Sequence, residues 1–178
     1  MKNKLDPSDT STRLKRRPLR HLNEYQKGIN ISFEYFPAKN QFSANQLRHT
    51  SRILSRLNPR FVSVTYGAGG SEETECFKTL NLLRKASPQP VAAHITHSRT
   101  DKDEIDALVE RIAMLGISRI VALRGDNQSG DLDRNHYPST IEMVEGLKQI
   151  YDFDISVAGY PETHPDAISS AADIDYLK

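Results

Sequence analysis

Short apolar runs alternate with longer amphipathic stretches along this chain, five times in succession. The apolar runs have the length and composition of β-strands, and they lie at residues 29–36, 60–67, 90–96, 118–125 and 153–161. The amphipathic stretches repeat apolar residues at helical spacing, and they lie at residues 43–57, 71–85, 101–116, 139–151 and 166–178. The repeat of about 30 residues is the size of one strand-plus-helix unit. The strands look apolar on both faces, which predicts a parallel sheet covered by helices.

Helix ends are also marked in the sequence. Ser43 is the first residue of the first amphipathic stretch and is predicted to cap that helix. Gly116 is the last residue of the third stretch and is predicted to end that helix. Two architectures fit strands that alternate with helices, an open doubly wound sheet and a (β/α)₈ barrel. A whole barrel needs about 250 residues, so five units in 178 residues favour the open sheet on period and length alone.

Composition narrows the class of protein. The chain carries 24 Lys and Arg against 23 Asp and Glu, a net charge of +1, which gives no reason to expect nucleic acid or an anionic membrane as a partner. The single cysteine, Cys76, cannot form an internal disulfide, and a reducing, cytoplasmic location is expected. No apolar stretch reaches the roughly 18 residues of a membrane span. Residues 1–28 include a basic cluster at 13–20 and are expected to form a flexible arm or a short helix.

Polar residues stand at the carboxyl ends of the predicted strands, where ligands bind in parallel α/β folds. They are Glu34, Thr65, His94, Asp126 and Tyr160. Glu34 lies in the middle of an apolar run, and a buried carboxyl has a raised pKa that suits a general acid. A glutamate bonded to a neighbouring strand or an arginine explains the same position. His94 and His97 are three apart on a strand and face opposite sides, so one metal is not expected to bind both.

Five motifs together resemble the methylenetetrahydrofolate reductase family, from about residue 29 to residue 178. They are "SFEYFP", "FVSVTYGAGGS", "AAHIT", "IVALRGD" and "FDISVAGYPETHP", in this order and at this spacing. The resemblance implies a (β/α)₈ barrel, of which residues 29–178 make about the first five β/α units. It also implies FAD as cofactor, NADH or NADPH as electron donor, methylenetetrahydrofolate as substrate and a homo-oligomer for the full-length enzyme. The barrel thereby replaces the open sheet as the expected fold.

The resemblance also implies roles for individual residues. Glu34 matches the general acid, which protonates the folate nitrogen that leaves when the five-membered ring opens, before hydride arrives from reduced flavin. Glu34 and Asp126 match substrate contacts, and Asp126 also lies beside the flavin. The expected cofactor contacts are Thr65, Tyr66, Ala68, His94, Arg124, Gly125, Asp126, Tyr137, Tyr160, His164, Ala167 and Asp173. No metal site is expected.

Length is where the chain departs from the family pattern. The motif series stops at Lys178, before the last three strand-plus-helix units of a complete barrel. A barrel leaves no open edge because its last strand pairs with its first, so both edges of a five-unit sheet are expected to expose backbone donors and acceptors. The alternative to a reductase is therefore a truncated, non-catalytic remnant with at most weak flavin binding or an interaction role.

Overall fold

A computed structural model describes residues 30–66, 73–98, 101–125, 136–160, 162–164 and 167–176. Five strands alternate with five helices in these ranges. The strands are β1 (Ser32–Tyr35), β2 (Phe61–Val64), β3 (Val91–Thr96), β4 (Arg119–Leu123) and β5 (Asp154–Val157). The helices are α1 (Gln41–Leu54), α2 (Glu73–Ala86), α3 (Lys102–Met114), α4 (Thr140–Ile150) and α5 (Ser170–Tyr176), with a 3-10 turn at Ser55–Leu57. The predicted succession of units is confirmed.

Strand order decides between the two candidate architectures. All pairings are parallel, and the strands lie side by side in the order of the chain, β1-β2-β3-β4-β5. A doubly wound sheet reverses its strand order at a switch point, whereas a (β/α)₈ barrel adds each strand next to the preceding one. Sequential order therefore has the barrel pattern, and the open doubly wound sheet favoured by period and length is wrong.

The two faces of the sheet differ in chemistry. One face packs against the helices and carries buried apolar side chains such as Val64, Ile95 and Ile120, which join the core built with α2, α3 and α4. The opposite face, called the inner face below, carries polar and charged side chains on most strands, among them Glu34 and His94. The prediction of strands apolar on both faces is wrong. The alternation was present in the sequence, since polar residues recur at every second position of several strands.

Capping explains most helix boundaries. α1 begins earlier than predicted, because Asn40 is its N-cap and accepts a hydrogen bond from the backbone N–H of Ser43 at 2.9 Å. Ser43 is the third helical residue and completes a capping box with its own hydroxyl, so its assignment as N-cap is wrong. Gly116 follows α3 at φ +78°, as predicted. α5 begins at Ser170, four residues later than predicted. No helix within the described ranges has the length and apolar character needed to span a bilayer.

Tyr137 fills the space between α3 and α4. Its side chain is buried, and its hydroxyl donates a 2.7 Å hydrogen bond to Asp106 of α3. Lys102, one helical turn before Asp106, forms an ion pair with the same carboxylate. On the α4 side the ring lies against Gly146, where an added Cβ would come within 2.7 Å of the Tyr137 Cε1 atom. Gly146 therefore leaves room for an aromatic ring between two helices.

We predict that Gly146→Ala destabilises the fold, against the usual trend. Alanine in a helix interior is normally about 0.8–1 kcal/mol better than glycine, but the new methyl group would overlap the Tyr137 ring, and overpacking costs about 1–3 kcal/mol. Urea unfolding followed by circular dichroism measures the change.

The control is the same substitution in a Tyr137→Ala background. Without the ring, alanine at position 146 should increase stability relative to glycine. If Gly146→Ala stabilises the protein with Tyr137 present, the packing between ring and helix is not as the structure has it.

Candidate active site

Three of the predicted site residues meet on the inner face near the carboxyl ends of β1, β2 and β3. Glu34 pairs in register with Ser63 on β2, and His94 lies two residues beyond Ala92, the partner of Ser63 on β3. The His94 imidazole reaches back toward β1, so that its Nε2 lies 3.7 Å from Glu34 Oε2. Thr65 follows β2 and continues the pairing, because its backbone N–H donates to the Tyr35 carbonyl at 3.0 Å.

The sequence predicted that Glu34 is buried, and the structure shows that it is not. Its side chain is 56% exposed, while that of His94 is 7% exposed. β1 is an edge strand of the described sheet, so one side of the carboxyl faces solvent. Burial lowers the pKa of His94, and the nearby charge of Glu34 opposes that effect. The alternative explanation was a glutamate bonded to a neighbouring strand or an arginine. The partner seen in the structure is instead His94, which lies two strands away.

The Thr65 hydroxyl is buried and has no hydrogen-bond partner among the described residues. An unpaired buried hydroxyl costs free energy, and its usual explanation is a water, an ion or a ligand that completes the bond. Thr65 stands at the carboxyl end of β2. Ala68 lies outside the described residues, as does Asp126. The position of Thr65 is therefore suited to a ligand at this edge of the sheet.

Gly125 is the second residue after β4, and its backbone comes close to the end of β3. Its φ is +84°, and an added Cβ would lie 2.8 Å from Ser98 Oγ and 3.1 Å from Thr96 Cβ. The Ser98 N–H also donates to the Arg124 carbonyl at 2.9 Å. The carboxyl ends of β3 and β4 are thus held together at their last residues. The Arg124 side chain is exposed, at the same edge as Thr65 and His94.

The cofactor contacts that were predicted after β5 form a separate cluster. The rings of Tyr160 and His164 meet edge to face, with centroids 4.7 Å apart. The His164 N–H donates to Asp173 of α5 at 2.9 Å, and the Ala167 N–H donates to the His164 carbonyl at 3.0 Å. Tyr160 is half exposed, so its ring is available to a ligand. These four residues, which the resemblance predicted one by one as cofactor contacts, thus lie together.

Tyr66 and Tyr137 lie elsewhere, within the helix layer. Burial raises the pKa of Tyr66 to about 12, with the charges of Glu73 and Glu104 adding to the effect. Tyr137 is held between α3 and α4, and its hydroxyl is bonded to Asp106. The side chains of both tyrosines are therefore separate from Glu34 and His94, although their backbones flank the carboxyl edge.

No role was predicted for His97, which the structure shows as a buried residue at this edge. The side chain is 4% exposed, and its Nε2 lies 3.2 Å from the Thr140 hydroxyl at the start of α4. Burial lowers the pKa of His97, and the charges of His136 and Arg124 lower it further. A hydrogen bond with the Tyr137 backbone and the charge of Glu142 oppose this by raising the pKa. Among the described residues, no group of three or more His, Cys, Asp or Glu side chains is placed to hold a metal ion.

A cleft of about 290 Å³ opens at the other end of the inner face, near the amino ends of the strands. Its polar wall is an ion pair between Arg119 and Asp154, with a 2.7 Å contact. The Arg119 guanidinium also lies 5.5 Å from the centre of the Phe61 ring. None of the predicted site residues lines this cleft. We place the candidate site at the carboxyl edge instead, because Glu34, His94 and the unpaired Thr65 hydroxyl are there.

Comparisons with known proteins agree with the motifs. A family model described as methylenetetrahydrofolate reductase matches residues 18–178. The 5,10-methylenetetrahydrofolate reductase of Salmonella typhimurium is 39% identical over 157 residues, which are 88% of this chain and 52% of that protein. The Escherichia coli protein of the same name is 40% identical over the same shares. The chain therefore spans about half the length of the curated relatives it matches.

The solved structures add a likeness of fold. N-acetylneuraminate lyase from Fusobacterium nucleatum matches with a TM-score of 0.57 and 13% identity, over 83% of this chain and 51% of that one. At this identity the match concerns the fold alone. Together with the sequential strand order, it confirms the barrel family and the incomplete set of five units.

We predict that His97 makes stability depend on pH. Its pKa in the folded chain lies below the ordinary 6.5, so the unfolded chain binds more protons as the pH falls below about 6.5. The folded state should therefore lose stability as the pH falls from there through the lower, folded pKa. Urea unfolding at several pH values should show a smaller loss in His97→Gln than in the parent chain. His49→Gln, an exposed position on α1, is the control and should keep the parent's slope.

We predict that Gly125→Ala destabilises the protein by about 1–3 kcal/mol, since alanine is strained at positive φ and its methyl group meets Thr96 and Ser98. Gly159→Ala is the matched control, because an added Cβ there meets nothing within 4 Å. Thermal unfolding of both variants measures the difference. Equal stability of the two variants would show that Gly125 is not held against β3.

Proposed function

The chain belongs to the methylenetetrahydrofolate reductase family, and we propose that it contributes the first five units of an enzyme that reduces 5,10-methylenetetrahydrofolate to 5-methyltetrahydrofolate. The single observation that carries this proposal is the position of Glu34. Its carboxyl stands on the polar inner face, at the carboxyl edge of the sheet, with one side open to a ligand and the other against His94. General acids need such access to the atom they protonate.

Glu34 is proposed to act as the general acid. Opening of the five-membered ring leaves negative charge on a folate nitrogen, and a proton delivered to that nitrogen removes it. In the structure the side chain of Glu34 is half exposed to water. A folate bound over the inner face would displace that water, and loss of solvent favours the protonated form that a general acid needs. Binding of the substrate would therefore prepare the acid for its role.

The carboxyl edge has features that fit FAD, which we propose as the cofactor. The unpaired, buried Thr65 hydroxyl offers a donor or acceptor that needs a partner. Gly125, with no side chain and positive φ, keeps the surface above β3 and β4 low enough for a flat ring to approach. The half-exposed Tyr160 ring, supported by His164, offers a surface for stacking. When bound, FAD carries a hydride from the nicotinamide to the folate.

The remaining expected contacts follow from family membership. Arg124 and Gly125, with Asp126 after them, would line the cofactor next to β4. Asp126 lies outside the described residues and is proposed as a contact to both the flavin and the substrate. Ala68 is proposed as a further flavin contact. NADH or NADPH is the proposed electron donor, and the complete enzyme is proposed to be a cytoplasmic homo-oligomer.

We predict that Glu34→Gln in the complete enzyme strongly slows folate reduction while FAD stays bound. Glutamine is nearly isosteric with glutamic acid but cannot donate a proton as an acid, and general acids contribute about 10²–10⁴-fold to rates. Stopped-flow absorbance separates the two half-reactions. Reduction of FAD by NAD(P)H should survive, and oxidation of the reduced enzyme by methylenetetrahydrofolate should slow by that factor.

Glu110→Gln is the matched control, since Glu110 is exposed on α3 and distant in the fold from the inner face. It should keep both half-reactions. Folate turnover near the parent rate in Glu34→Gln would refute the assignment of the acid. Absence of both flavin binding and turnover in the parent enzyme would favour a non-catalytic remnant.

A further inference from the structure

Glu34 and His94 meet across a strand that lies between them. Neighbouring strands are about 4.8 Å apart, so β1 and β3 are separated by roughly 10 Å. Two side chains can bridge that distance only if both are long and the residue beneath them is short. Two buried residues of the middle segment lie between them on this face: Ser63, which pairs with Glu34, and Thr65, two residues further along the chain. The small Ser63 side chain lets the carboxyl and the imidazole approach to 3.7 Å.

The charges around the pair make Glu34 the partner that matters to His94. On the inner face, β2 contributes the neutral Ser63 and Thr65, and β4 contributes Val121 next to His94. The charged residues of β4 and β5, Arg119 and Asp154, lie at the amino ends and bind each other. Among the described residues, burial and the Glu34 carboxylate are the influences acting on the His94 imidazole. His97, three residues on, responds to a different set of charges.

We propose that His94 is a positioning residue for Glu34: reaching over Ser63, it holds the carboxyl on the inner face and couples the two protonations, so that the pair carries one proton. This rests on the proposed role of Glu34 and adds a partner to it. A pair with two places for one proton binds that proton at least as tightly as either group alone. The shared proton would thus stay on the pair to a higher pH than on one group alone, and its transfer to the folate nitrogen would leave the pair with one negative charge.

The first test needs neither cofactor nor substrate. Histidine resonances of the chain labelled with ¹³C and ¹⁵N give the pKa of His94 and His97 separately. In Glu34→Gln the pKa of His94 should fall, because the carboxylate charge that raises it is gone. His97 should not respond. In Glu142→Gln the pKa of His97 should fall and that of His94 should not respond, because the Glu142 charge acts on His97. An unchanged His94 pKa in a folded Glu34→Gln chain overturns the proposal.

A second pair of variants tests the role of Ser63. Ser63→Val would put a branched side chain between the partners and should lower the pKa of His94 as Glu34→Gln does. Ser63→Ala keeps the space and should leave the His94 pKa as in the parent. The two-dimensional amide spectrum shows whether each variant is folded. If Ser63→Val does not fold, the Glu34→Gln titration still decides. Equal His94 pKa values in folded Ser63→Val and Ser63→Ala would contradict the bridge across β2.

The third test uses the complete enzyme with saturating FAD. In His94→Gln the folate half-reaction should lose rate at a lower pH than in the parent, because the proton then has only one of its two places on the pair. A merely structural role for His94 would lower the rate without moving that pH. An unmoved pH limit refutes the coupling, whereas a parent enzyme without folate reduction refutes the proposed function and leaves the histidine titration unaffected.

Discussion

In-register pairing of parallel strands is the constraint on which the rest of the structure depends. Because partners in adjacent strands point to the same side, every second residue of each strand joins one of two faces. One set builds the core with the helices, and the other builds the inner face. A shift of one residue in any pairing would move polar residues into the core and apolar residues out of it. The same register that stabilises the fold therefore positions Glu34 and His94.

The division of the two faces explains how the sheet can hold polar groups at little cost. The core side is closed by helices, so its strands carry Val, Ile and Ala there. The inner side has polar partners for its charged residues. Arg119 pairs with Asp154 near the amino ends, and Glu34 lies beside His94 near the carboxyl edge. Only at Thr65 does a buried hydroxyl on this side lack a partner in the described ranges, and that position is where a ligand is proposed to bind.

The helix layer contributes to the site indirectly, through the segments that leave each strand. Gly125 brings the end of β4 against Thr96 and Ser98, and His97 touches the first residue of α4. Tyr137, fixed by Asp106 and seated against Gly146, anchors the chain where it enters α4. These contacts lie behind the inner face and hold the carboxyl edge in one arrangement.

The sequence by itself determined the succession of five strand-plus-helix units, because apolar spacing and capping residues act within a few positions along the chain. It did not reveal the contacts that join Tyr160, His164, Ala167 and Asp173. The family came from motifs, and so did the candidate residues. Only the tertiary structure decided the strand order, the pairing that gathers the polar positions on the inner face, and the exposure of Glu34. It alone placed Tyr66 and Tyr137 in the helix layer and brought His94 to Glu34 across Ser63. Such features depend on which strands become neighbours and on what covers each face, and both are set by contacts between residues far apart in the chain.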